Sequence, residues 1–255
     1  MKIETILTPA ELPALAQRDL RATACVVFDV LRATSTFVTA LHHGAQAIIP
    51  VSEIAGALAF RKSKVQSPES KVILLGGERN GVRISANGID FDLGNSPREY
   101  TPEKVRGKTI VSTTTNGTRA LRACVGAQTV LAASFLNLTA TAEFLRQNRF
   151  ENILIVCAGT GENPADEDII AAGALVDALS SGKDTHSKRT DSTIAARAAY
   201  FEAVRIGLER KISLAENAQR LLAIPELRDD VAFCLQRDIF PLVAKMEADG
   251  AIRRV

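Results

Sequence analysis

Four places along this 255-residue chain set acidic, hydroxyl or guanidinium side chains at the end of an apolar run. In FDVLRATST, Asp29 closes such a run, and Arg32, Thr34, Ser35 and Thr36 follow it. A carboxylate beside hydroxyls and exposed helix N–H groups suits a divalent metal or a phosphate. The competing reading is an Asp that caps the helix and pairs with Arg32. In VSTTTNGTRAL, Ser112, Thr113, Thr114 and Thr115 leave a strand, Asn116 and Gly117 turn, and Thr118 and Arg119 enter a helix. Small hydroxyl residues and a glycine let backbone N–H groups converge on an anion. A plain hydroxyl-capped turn is the alternative. In CAGTGENPADEDII, Gly159 and Gly161 make the turn, and Asp166, Glu167 and Asp168 open a helix. These acids either complement the helix dipole or hold Mg²⁺. The fourth place is an irregular stretch. LLGGER puts Glu78 and Arg79 after a glycine pair, and DLGNSP puts Asn95 and Ser96 in a turn. That stretch either closes over a polar ligand or is a solvated connection.

The elements that must position these residues alternate. Strands are predicted near 24–29, 47–51, 71–75, 108–112, 128–132 and 152–158, with helices near 33–43, 53–63, 117–124, 138–147 and 167–180. Such alternation predicts an α/β fold with mostly parallel sheets in α/β/α layers. In such sheets ligands bind where strands end and helices begin, which is where the four motifs fall. Beyond about 192 the pattern turns helical, and FPLV at 240–243 reads as a short edge strand. The 76–107 stretch is too long for an ordinary connection. SSGKDTHSKRTDS at 180–192 reads as a mobile surface loop. Residues 25–52 and 109–134 echo each other, each running strand, Thr-bearing loop, helix and Gly-Ala-Gln. Duplicated units or chance both explain the echo. The first would give two similar α/β halves, 1–105 and 106–255, the second half carrying the C-terminal helices; one continuous domain is the alternative.

Composition removes several function classes. Lys and Arg total 31 against 29 Asp and Glu, so no basic footprint for nucleic acid exists. Trp is absent and Tyr occurs twice, which argues against a base-stacking platform. Cys25, Cys124, Cys157 and Cys234 form no C-x-x-C pair and read as buried free thiols in a reducing cytosol. No apolar leader and no run of 18 apolar residues is present, so a cytoplasmic protein without membrane contact is expected. His42 and His43 sit at a helix end, and His186 lies in the surface loop. No Walker A loop, G-x-G-x-x-G, H-x-x-x-H or G-x-S-x-G occurs, which leaves nucleotide, zinc and hydrolase-triad readings unsupported.

Taken in order, FDVLRATST, LLGGER, FDLGNSP, TTTNGTRAL and CAGT…ED closely resemble the 2-phosphosulfolactate phosphatase (ComB-like) family. The resemblance runs from about 24 to 180 and continues through TDSTIAARAAYF and DDVAFCLQRD. It implies a magnesium-dependent phosphatase that converts (R)-2-phospho-3-sulfolactate to 3-sulfolactate on the way to coenzyme M. It also implies a homodimer and a fold outside the haloacid-dehalogenase class, which needs a second Asp where Leu31 stands. On this resemblance, Asp29, Glu167 and Asp168 would hold Mg²⁺, with Glu78 a further catalytic carboxylate. Arg32 would stabilise transition-state charge. Thr114, Thr115, Asn116, Gly117 and Thr118 would cradle phosphate. Thr34, Ser35, Asn95, Ser96 and Gly159 would line the substrate, and Arg79 would take its sulfonate or carboxylate. A phosphatase for another small phosphorylated acid and a non-catalytic binder of an anionic metabolite are the alternative functions.

Overall fold

Apolar runs that lack polar alternation become strands covered on both faces. The computed structural model describes residues 1–63, 72–86, 88–180 and 187–255. Its strands are β1 (Lys2–Ile6), β2 (Thr23–Phe28), β3 (Ala47–Pro50), β4 (Ile73–Arg79), β5 (Val82–Arg83), β6 (Ser85–Ala86), β7 (Ile89–Asp90), β8 (Thr109–Thr113), β9 (Thr129–Ala133), β10 (Asn152–Cys157), β11 (Lys188–Arg189), β12 (Ala244–Met246) and β13 (Ile252–Arg254). Its helices are α1 (Leu12–Leu15), α2 (Ala33–His42), α3 (Ile54–Ser63), α4 (Pro102–Val105), α5 (Gly117–Ala123), α6 (Leu138–Asn148), α7 (Asp166–Ser180), α8 (Asp191–Ile206), α9 (Leu208–Ile212), α10 (Glu216–Leu222) and α11 (Arg228–Cys234). The α/β class and its layers are as the alternation predicts. Along β2, Ala24, Val26 and Phe28 meet α6, α7 and α8, while Cys25 and Val27 meet α1, α2 and α5. The two-residue side-chain period of a strand thus feeds two cores, one on each face.

One sheet of eleven strands runs β11-β1-β10-β2-β9-β12-β13-β3-β8-β4-β5. From β11 to β9 the neighbours are parallel, and so are β3, β8 and β4. The C-terminal hairpin β12–β13 lies between these blocks and joins both antiparallel. Three antiparallel steps separate β9 from β3, so the two blocks run in opposite senses along the ladder. Five strands lie on one side of the hairpin and four on the other, and the two parallel pairs that flank it, β2–β9 and β3–β8, correspond. The unit β2–α2–β3 crosses from the first block to the second, and β8–α5–β9 crosses back. β2 lies beside β9, and β8 beside β3. These crossings are the counterparts of the 25–52 and 109–134 echo. Strands from both sides of residue 105 are interleaved in the ladder.

The strand expected at 71–75 runs instead from Ile73 to Arg79, because GGER continues the ladder by pairing with β8 and β5, so Glu78 and Arg79 end the strand and do not follow it. Other departures from the sequence reading also have local causes. KIETI forms β1, although five residues of mixed polarity give no clear period; it is stabilised by parallel pairing with β10. FPLV is not a strand. Pro241 cannot donate to a ladder, and Phe240, Leu242 and Val243 bury as irregular chain before β12 begins at Ala244. In the 180–192 stretch, β11 pairs with β1 and α8 begins at Asp191; residues 181–186, with His186, lie outside the described residues. His43 Nδ1 is 2.6 Å from the Tyr100 carbonyl oxygen and His42 stacks on Phe240, which places both in packing roles.

The hairpin bridges the blocks through few pairs, and Ile252, 1% exposed, faces Ile48 across the β13–β3 junction. Ile252→Ala should cost about 2–4 kcal/mol in urea unfolding. A loss below about 0.5 kcal/mol would show that the hairpin does not hold the blocks together.

Candidate active site

The loops that follow β2, β4, β8 and β10 meet around one cavity of about 260 Å³. It is lined by Asp29, Arg32, Glu78, Asn95, Thr115 and Asn116, together with Gly159 and the helix residues Asn217 and Arg220. After β2, Asp29 Oδ1 accepts the Ala33 N–H at 3.0 Å, so the capping part of the bland reading holds. The pairing part does not. Arg32, 3% exposed, follows a cis Leu31–Arg32 peptide and donates to Asp230 Oδ2 at 2.7 Å and to the Gly81 carbonyl at 2.9 Å. Thr34 and Ser35 spend their hydroxyls on the Asp29 and Val30 carbonyls, and neither lines the cavity.

After β8, the chain turns so tightly against the first loop that a Cβ on Gly117 would lie 2.6 Å from Asp29 Oδ2 and from Ala33 Cβ. Only glycine allows that approach. Thr115 donates its N–H and hydroxyl to Glu78 Oε1, both at 3.0 Å, while Gly81 N–H donates to Glu78 Oε2 at 2.7 Å. Asn116 donates to the Ala158 and Gly161 carbonyls and ties this turn to the one after β10. Thr114 and Thr118 bond to each other across the first turn of α5. Arg79 leaves the site and donates to Thr113 Oγ1 and to the Glu78 carbonyl.

After β10, Gly159 adopts φ +66° and donates its N–H to Asp168 Oδ2 at 3.0 Å. The other oxygen of Asp168 accepts the Val30 N–H at 2.8 Å, so this carboxylate staples two loops and is absent from the cavity wall. Glu167 accepts from Asn217 Nδ2 at 2.7 Å, and its second oxygen is buried without a partner. Asn95 Oδ1 is likewise buried and unpartnered. Ser96 donates to Asp230.

Sequence reasoning did not select Asp230, Asn217 or Arg220. Asp230 stands in the quoted DDVAFCLQRD segment, but its role depends on Arg32, Ser96 and Arg98 converging on it from distant parts of the chain. ENAQRLL reads as an ordinary surface helix, and nothing in its pattern singles out Asn217 or Arg220.

The cavity wall carries two carboxylates, Asp29 and Glu78, and two guanidinium groups, Arg32 and Arg220, and the buried Glu167 acts on Asp29 from outside the wall. Burial, then the neighbouring Glu78 and Glu167, pushes the Asp29 carboxyl up to about 7, against the Ala33 N–H and Arg32. Burial, then Glu167 and Asp29, pushes Asp168 well above the usual range. Burial raises Glu167, opposed by its Asn217 hydrogen bond. Among the described residues no three His, Cys, Asp or Glu side chains form a group of metal-ligand spacing. Two of the buried side-chain oxygens without a protein partner, Glu167 Oε2 and Asn95 Oδ1, are nevertheless hard donors. Asp29 and Asn95 line the cavity, whereas Glu167, like Asp168, does not and is tied to the wall through Asn217. Hard oxygens of this kind suit an oxygen-loving cation.

Two outcomes follow. Unfolded, Asp29 loses its proton near 3.8; folded, near 7. The unfolded chain therefore sheds the proton first. This contribution to stability is full below about pH 4 and is lost as pH rises to about 7. In EDTA, Asp29→Asn should remove that slope and exceed the wild type by about 2 kcal/mol or more at pH 8 in urea titrations; an unchanged slope would refute the assignment. Asp230→Ala strands Arg32 without a counter-ion and should cost about 3–5 kcal/mol in the same titrations. A loss under 1 kcal/mol would show that the pair does not anchor the loop.

Comparison with known proteins places this architecture. The family model described as 2-phosphosulpholactate phosphatase matches residues 7–249. A protein of Thermotoga petrophila named "Probable 2-phosphosulfolactate phosphatase" is 45% identical over 220 residues, covering 86% of each chain. A protein of the same name from Caldanaerobacter subterraneus is 38% identical over 243 residues, 94% of each chain. Another, from Clostridium perfringens SM101, is 36% identical over 255 residues, all of this chain and 97% of its own. With the match spanning nearly every element that builds the cavity, the chain belongs to the 2-phosphosulfolactate phosphatase family.

Proposed function

We propose that the cavity hydrolyses 2-phosphosulfolactate, the substrate in its relatives' names, to 3-sulfolactate and phosphate, with Mg²⁺ bound. The observation that carries this reading is the convergence of Asp29, Glu78, Arg32 and the Thr115–Gly117 turn on one small opening. The phosphoryl group would rest against that turn, where the backbone at the head of α5 favours an anion. Glu78 positions the turn by accepting both Thr115 donors. Arg32, oriented by Asp230 and the Gly81 carbonyl, offers its remaining N–H groups to charge that develops on phosphoryl oxygens. Arg32 is already paired with Asp230, so a further cation would favour a multiply charged anion beside Asp29 and Glu78. The donor set fits Mg²⁺: Asp29 and Glu167 would supply carboxylate oxygens, and Asn95 an amide oxygen. Bound there, Mg²⁺ would neutralise phosphoryl charge and orient the attacking water. Asp168, with both oxygens on backbone N–H groups, would stay a positioning residue behind the ligands.

A homodimer and a cytoplasmic location belong to the same proposal. Four buried free thiols support a reducing compartment. Among the described residues no helix is long and apolar enough to cross a membrane.

Phosphate release from 2-phosphosulfolactate and a panel of other phosphomonoesters, with Mg²⁺ and then EDTA, tests the reading. Release from the sulfonated ester should require Mg²⁺, and Asp29→Asn should lower kcat by roughly 100-fold or more with folding intact. Release only from other esters would keep the chemistry and move the substrate. No release from any ester by the folded protein would leave an anion binder and end the phosphatase reading.

A further inference from the structure

The substrate in the family's name carries two anionic groups besides its phosphate, and the cavity holds few cations to meet them. Among the described residues its wall contains two guanidinium groups, those of Arg32 and Arg220, and no Lys or His. Arg32 is buried and already faces Asp230. Arg79, the sequence candidate for the second anion, points away to Thr113. That leaves Arg220.

Its placement is built. Asn217 and Arg220 lie three residues apart on α10, where side chains share a face. Asn217 Nδ2 donates to Glu167 Oε1 at 2.7 Å and to Thr160 Oγ1 at 2.5 Å, which locks the amide. Arg220 donates to the amide oxygen of the same Asn217 through Nη2. The rest of its donor fork is exposed at the cavity rim. A guanidinium held at one corner, with donors in a fixed plane, is matched to a planar or pyramidal oxyanion. Glu167 thereby anchors the amide that holds the rim cation.

We propose that Arg220, held by Asn217, is the specificity-determining residue that binds the non-phosphate anion of the substrate, its sulfonate or carboxylate. The assignment rests on the phosphatase reading for the identity of the ligand, but its binding test does not depend on turnover.

Calorimetry of 3-sulfolactate, which keeps both other anions and lacks the reacting phosphate, is compared for the wild type and Arg220→Ala. Binding should weaken roughly tenfold or more in the variant. Binding of inorganic phosphate should change by less than about threefold, because that anion needs no second cation. In turnover, Arg220→Ala should raise KM for 2-phosphosulfolactate by roughly 10–100-fold and should act several-fold less on p-nitrophenyl phosphate. With 2-phospholactate, a retained penalty assigns the carboxylate and a lost one assigns the sulfonate. Unchanged 3-sulfolactate binding, or equal penalties on the doubly substituted ester and on p-nitrophenyl phosphate, would overturn the inference. Weakened 3-sulfolactate binding without hydrolysis of any ester would instead overturn the phosphatase reading and leave Arg220 in place. Arg220 is exposed, so the variant is expected to fold; a thermal melt checks this.

Discussion

Burying four carboxylates beside one another is the constraint around which this molecule is organised. Asp29, Glu78, Glu167 and Asp168 are each less than 9% exposed. Buried charge is costly unless hydrogen bonds offset it. Asp168 meets that cost with N–H groups from two different loops, those of Val30 and Gly159, and so clamps the ends of β2 and β10 together. Glu78 does the same for Thr115 and Gly81. Asp29 has one such donor, and Glu167 is held by a side-chain amide. The fully satisfied pair therefore shapes the loops, and the partly satisfied pair is left with capacity for chemistry.

That arrangement requires loops from opposite blocks of the sheet to meet. β2–α2–β3 and β8–α5–β9 cross between the blocks in reverse order, with the C-terminal hairpin between them. The loop that opens α2 and the loop that opens α5 then approach until Gly117 touches Asp29 and Ala33. A larger residue at 117 would push the turn off the carboxylate. Topology and a single missing side chain thus have one consequence, a narrow cavity between two helix heads.

The helices after Gly207 do more than cover a core. α11 supplies Asp230, which fixes Arg32, Ser96 and Arg98 at once. α10 supplies Asn217 and Arg220 at the rim. Both guanidinium groups of the cavity are therefore placed by this segment, one by an ion pair and one by its own backbone. The strand-end loops provide acids and N–H groups, and the helical segment provides or aims the cations.

Much of the fold was legible in the sequence because strands and helices announce themselves through local period. β2, β3, β8, β9 and β10 and the helices α2, α3, α5, α6 and α7 lie within a few residues of where those periods put them. The four strand-end motifs were legible too, since side-chain chemistry at a strand terminus is a local pattern. Asp29, Glu78, Thr115, Asn116, Gly117 and Gly159 do come together. What no local pattern held was direction. Glu78 and Arg79 were read as following a strand but lie inside β4, where Arg79 turns to Thr113, while Arg32, after β2, turns to an Asp 198 residues away. Thr34 and Ser35 look like anion ligands and instead bond to their own loop. By itself the sequence determined which residues stand at strand ends, because backbone periodicity is a short-range property. Only the tertiary structure decided which of them face the cavity and which cations meet them, because a buried side chain points toward the partner that offsets its desolvation, and that partner comes from a distant part of the chain.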